Sequence, residues 1–215
     1  MNREHKNKLI GFCLLLLLSV SATAQVRFGV RTGGSYSSLS YKMEGMYHSG
    51  SHFGYNVGLL CDLPLKKNFS FRPELLFLNQ GGNYRTRRYE KENGLNIPLV
   101  KTSYYSVQMQ SNFAYNILLS DMNLSFIVGP AVDYSLWGEM TSQGTHHALL
   151  IGTKETEDYV PVNLSVNVGL AAEYNNLFFQ VNAMLGLTDR QAVRLEGESA
   201  VLQNNVNFSI GYFFH

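Results

Sequence analysis

Cysteine is almost absent from this 215-residue chain: there are two, and Cys13 lies inside an N-terminal apolar run. Only Cys61 remains beyond that run, so no intramolecular disulfide can hold the fold and a small disulfide framework is excluded. Charge is scarce too, at 15% of residues, and 17 Lys and Arg nearly balance 16 Asp and Glu. With no basic excess to neutralise phosphates, nucleic acid is not expected as a partner. No stretch past the N-terminus has the roughly 18 consecutive apolar residues of a spanning helix, which excludes a helical membrane protein. What the chain does contain is apolar and aromatic: 45% hydrophobic residues, with 13 Tyr and 13 Phe. That is too much for a disordered chain and suits one folded domain.

The first 24 residues carry Arg3, Lys6 and Lys8, then the apolar run Leu9 to Leu18, then Ser21-Ala22-Thr23-Ala24. This is the pattern of a secretory signal peptide, with Ala22 and Ala24 as an A-x-A cleavage site. Cleavage between Ala24 and Gln25 is expected, leaving a mature domain over residues 25–215. The run is too short for a retained anchor, and Cys13 is misplaced for a lipid-modified N-terminus.

Beyond Gln25 the dominant signal is a period of two. Val206, Phe208, Ile210, Tyr212 and Phe214 alternate with Asn205, Asn207, Ser209 and Gly211. Only a strand puts those two sets on opposite faces. The same rule predicts strands near Val26 to Ser38, Gly54 to Leu63, Asn68 to Asn79, Ser103 to Ile117, Met122 to Trp137, Leu164 to Tyr174 and Leu177 to Thr188. Asn175-Asn176 suits a tight hairpin, because Asn tolerates positive φ. Short connections (Pro64 to Lys67, Leu118 to Asp121, Asn175-Asn176) alternate with long ones (Leu39 to Phe53, Gln80 to Thr102, Gly138 to Pro161, Asp189 to Gln203). All short turns and both termini of the mature domain therefore fall at one end. Closing this meander into an all-β, eight-stranded, antiparallel up-and-down barrel removes the strand edges.

Charge placement decides which face points outward. A soluble lipocalin-like barrel would carry Lys and Glu on its polar face. Here that face is Ser, Asn, Gln and Gly. The seven strand charges (Arg27, Arg31, Asp62, Arg72, Glu74, Asp133 and Glu173) all share it, as three Arg against four carboxylates suited to pairing in a narrow lumen. The apolar face carries Phe28, Tyr55, Phe69, Tyr105, Tyr115, Tyr134, Tyr174, Tyr212 and Phe214, mostly near segment ends, as an aromatic girdle would. A transmembrane barrel with a polar plug and outer-membrane lipid around it is the expected architecture.

The leader ending in T-A-Q, the segment V-R-F-G-V-R-T-G-G at Val26 to Gly34, the run F-R-P-E-L-L-F at Phe71 to Phe77 and the aromatic last strand together resemble the PorT-like outer-membrane β-barrel family of Bacteroidota. The likeness covers the whole mature chain. It implies an outer-membrane location, insertion by the barrel assembly machinery, and, from the founding member, a role near a protein secretion system.

Candidate sites are few. Tyr212 and Phe214, in the terminal Tyr212-Phe213-Phe214-His215, resemble the aromatic signal read by the assembly machinery. His48, His52, His146 and His147 fall in long loops at one end, but their spacing supports no metal ligand set. Arg85, Arg87 and Arg88 share one loop and could contact lipid phosphate or an acidic glycan. Lys154, Glu155, Glu157 and Asp158 lack the Asp/Asn alternation of a calcium loop. No strand carries a His before His215 and no G-x-S-x-G occurs, so no catalytic residue, metal or cofactor is assigned. Eight strands leave an interior just wide enough for side chains to fill, which disfavours an open pore. The expected function is a structural or interaction role through long surface loops toward an envelope protein partner. A lipid A-modifying rim enzyme and a soluble ligand-binding barrel are the alternatives.

Overall fold

The computed structural model describes residues 26–41, 46–86, 99–142, 144–154, 156–192 and 200–214. They form ten strands in chain order: β1 (Arg27–Tyr41), β2 (Met46–Gly50), β3 (His52–Pro64), β4 (Phe69–Thr86), β5 (Val100–Leu119), β6 (Met122–Ser142), β7 (Thr145–Ala148), β8 (Val162–Tyr174), β9 (Leu177–Gly186) and β10 (Val201–Phe214). Strands β1, β3, β4, β5, β6, β8, β9 and β10 pair antiparallel in sequence order, and β1 pairs with β10 to close a ring of eight. Closure is complete along the seam, from Phe28↔Phe214 to Tyr41↔Val201. The expected eight-stranded up-and-down barrel is thus what the chain forms.

Alternation of the side chains is equally clear. Along β9, Phe178, Gln180, Asn182, Met184 and Gly186 point inward and are buried, while Leu177, Phe179, Ala183 and Leu185 are exposed. All nine girdle aromatics named from the sequence point outward. The Asn175-Asn176 turn has φ of 47° and 68°, the left-handed pair that a two-residue hairpin needs and that Asn accepts.

Strand ends differ from the sequence expectation. β4 runs on to Thr86, β5 begins at Val100, and β6 reaches Ser142, so the flanks of the expected long connections are paired backbone. β2 pairs with the end of β4, and β7 pairs with the end of β6. Here both faces carry polar residues, as in Gly82↔Thr102 and Asn83↔Lys101, so pairing continues where the period of two has faded. In consequence His52 lies on β3, His146 and His147 on β7, and the backbones of His48 and Arg85 on β2 and β4, all on strands rather than in loops.

Candidate functional site

The interior is the chemically distinctive part of the barrel, and it is filled in three tiers. At the short-turn end Leu60, Phe178 and Phe213 form a buried apolar floor. Gly211 makes room for it, since a Cβ there would stand 2.2 Å from Phe178 Cζ. The Arg27 guanidinium lies 4.3 Å from the Phe213 ring centroid and that of Arg72 5.5 Å. Such stacking lets apolar rings and charged groups share one narrow section.

Ion pairs start at this floor. Arg27 contacts Glu173 and bonds Asp62 at 2.7 Å, while Arg72 Nε bonds the other Asp62 oxygen at 3.1 Å. Above them Arg31 and Glu74 approach to 3.1 Å with both side chains wholly buried. The three Arg thereby account for Asp62, Glu74 and Glu173, leaving Asp133 without a Lys or Arg at ion-pair distance among the described residues. Amides serve it instead: Gln108 Nε2 donates at 2.7 Å, Asn163 Nδ2 at 3.1 Å and Gln80 Nε2 at 3.5 Å.

The middle tier is an amide ladder that crosses the lumen. Asn112 donates to Glu74 and to Gln110, Asn167 donates to Asn112, Asn182 donates to Asn167, and Gln180 donates to Asn182, at 2.7 to 3.1 Å. Each amide supplies both donor and acceptor, so one link leads to the next across the lumen, with Gln180 Oε1 left without a protein partner. This explains why the inward positions are Asn and Gln and not Lys.

At the long-connection end, Leu39, Tyr104, Leu149, Tyr159 and Val201 form a second apolar cluster. Arg190, from the connection between β9 and β10, is fully buried there, 5.0 Å from the Tyr104 ring centroid and 5.6 Å from that of Tyr159, and donates to Ser135 Oγ at 2.7 Å. Tyr104 donates to Gln203 Oε1 at 2.8 Å. This lid was not legible from spacing, because Arg190, Leu149, Tyr159 and Leu39 lie in segments that the period of two leaves as connections. The only sequence trace was an aromatic on the polar parity: Tyr104 at one end, Phe178 and Phe213 at the other.

The sequence-derived candidates do not converge. Tyr212 and Phe214 point outward, with rings 5.9 Å apart. His52 Nε2 lies 2.6 Å from Asn79 Oδ1, and His146 Nδ1 lies 3.2 Å from Thr141 Oγ1 and 3.6 Å from Glu139. Among the described residues no three His, Cys, Asp or Glu are grouped to hold a metal ion. Glu157 and Asp158 accept from the backbone N–H groups of Lys154 and Leu150, so they brace their own loop. Arg87, Arg88, Glu155, His215, Ala24 and Gln25 lie outside the described residues.

Among solved structures the chain is similar to Neisserial surface protein A (9% identity, 87% of this chain and 97% of that one, TM-score 0.49). It is also similar to Ail, the attachment invasion locus protein of Yersinia pestis (12%, 87% and 98%, TM-score 0.44), and to the outer membrane protein OprG from Pseudomonas aeruginosa (10%, 89% and 97%, TM-score 0.44). No curated protein matches. The outer membrane protein beta-barrel domain matches residues 20–190, most of the chain. An exposed apolar wall around a filled polar lumen is what such a domain requires, and the opposite of an apolar-lined soluble barrel. The chain belongs to the outer membrane protein beta-barrel domain family.

Proposed function

We propose that this protein is a plugged, PorT-like barrel of Bacteroidota that acts as a structural or interaction protein of the outer membrane, with a secretion-related role. The observation that carries this reading is the filling of the lumen from the Phe213 floor to the Arg190 lid, which leaves the surface beyond the strands as the working part. Cleavage after Ala24, insertion by the assembly machinery through Tyr212 and Phe214, and termini on the periplasmic side complete it. Arg85, at the end of β4, and Arg87 and Arg88, which follow it in the sequence, are the cations proposed for partner or glycan contact.

The test is affinity capture of the tagged protein from detergent-solubilised outer membranes, beside a variant whose 87–98 segment is a Gly-Ser linker. An envelope protein retained by the first and lost from the second, with both barrels folded, is expected. Identical retention by both, or an altered lipid A mass on expression, would overturn the reading.

A further inference from the structure

Two prolines interrupt the wall in one row. Cys61 on β3, Pro73 on β4, Ser111 on β5 and Pro130 on β6 are side-by-side positions of neighbouring strands, all on the outward face. Between β3 and β4 the pairing runs from Leu60↔Glu74 to Leu63↔Phe71 and skips the two steps between. Between β5 and β6 it runs from Gln110↔Ala131 to Phe113↔Val128 and again skips two. Both gaps have one cause. Proline has no N–H, so Pro73 gives nothing to the Cys61 carbonyl and Pro130 nothing to the Ser111 carbonyl.

The row lies inside the apolar belt. On β5 it falls between the girdle residues Tyr105 and Tyr115, flanked outward by Met109 and Phe113, 60% and 52% exposed. Ser111, a half-buried residue, also carries a hydroxyl there, and no group bonds to it among the described residues. The outward hydroxyl of Thr32, by contrast, donates to Asn56 O at 3.2 Å. Hydrocarbon offers neither donor nor acceptor, so polar groups left open in the belt call for a polypeptide partner.

We infer that this row is a homodimer interface, at which a second copy of the chain supplies the missing hydrogen bonds. The row holds one free donor, the Ser111 hydroxyl, and two carbonyls short of a ladder donor, those of Cys61 and Ser111. A two-fold axis near Ser111 lets each copy's hydroxyl donate to a carbonyl of the other, so the face is complementary to itself. Cys61 and Ser111 are two strand spacings apart, about 10 Å, within reach of one such contact patch. The surrounding Leu75, Met109, Phe113, Val128 and Val132 supply the apolar contact.

The test uses Met109 as a reporter, which leaves Ser111 intact. In a Cys61→Ala background, which adds no donor to the row, Met109→Cys is expected to give a covalent dimer with a short lipid-soluble bis-maleimide in native outer membranes, whereas Val168→Cys and Ile210→Cys, elsewhere on the wall, give little. Adding Ser111→Ala to the reporter should lower the dimer yield about tenfold, the factor for two modest membrane hydrogen bonds. Each variant is first checked for the heat-dependent gel shift of a folded barrel. Equal dimer from all three positions, no dimer from Met109→Cys, a cross-link of Met109→Cys to a different protein, or a yield unmoved by Ser111→Ala would each overturn the inference.

Discussion

Arg31 of β1 and Glu74 of β4, strands separated by β3, meet at 3.1 Å inside the barrel with neither side chain exposed. Asn182 accepts from Arg31 at 3.2 Å, while Asn112 and Gln180 donate to Glu74 at 3.1 and 3.2 Å. The pair therefore sits at the junction of the ion pairs and the amide ladder. Removing one partner strands a buried charge, whereas removing both does not. Arg31→Met or Glu74→Leu alone is expected to cost about 3–5 kcal/mol, and the double variant less than either single one. Urea unfolding in detergent micelles, followed by the gel shift, measures it; additive losses would mean that the two charges do not depend on each other.

Cys61 shares the outward face with Tyr55, Val57, Leu59 and Leu63 and is the free thiol of the described chain. A lipid-soluble maleimide should label it in native membranes, and a large charged maleimide should not. Rapid labelling by the charged reagent would put this face in water and reverse the orientation of the wall.

Depth along the wall sets the penalty for an outward charge. Val168→Lys, Val181→Lys and Ile210→Lys lie mid-strand and should each cost about 2–4 kcal/mol, while lysine at the girdle positions Tyr134 and Phe214 should cost about 0–1. Folding yield into lipid vesicles measures the ratio. A flat profile along the strands would contradict a lipid-facing belt.

Arg190 holds the lid by stacking on Tyr104 and Tyr159 and by its bond to Ser135. Arg190→Ala should speed protease cleavage within the 149–160 segment and leave the gel shift of the barrel intact. Arg190→Lys should rescue little, because an ammonium cannot stack flat between two rings. Unchanged cleavage in both variants would show that the segment is held without Arg190.

Trp137, the single tryptophan, stacks on Tyr105 with ring centroids 5.2 Å apart on the outer wall. Its emission should shift to the blue on transfer from urea to lipid vesicles, and a quencher at the headgroup level should act more strongly than one at the bilayer centre. Equal quenching at both depths would remove Trp137 from the girdle.

The barrel and its polarity were readable from residues alone because a strand's two faces alternate with period two. Val206 to Phe214 against Asn205 to Gly211 needs no tertiary information to be divided into two walls. The scarcity of Lys and Glu on the polar set then decides which wall meets lipid. Asn175-Asn176 announced its hairpin through the φ it tolerates. What periodicity could not carry is anything that depends on which strands are near across the lumen. That Arg27 would take both Asp62 and Glu173, that Asp133 would be left to amides, and that Arg190 would fold in under Tyr104 follow from barrel closure and register, which bring residues 146 positions apart into contact. The extra length of β4, β5 and β6 was hidden for the same reason: past the lipid belt both faces carry polar residues, the pattern fades, and only the pairing of backbones keeps the strands going.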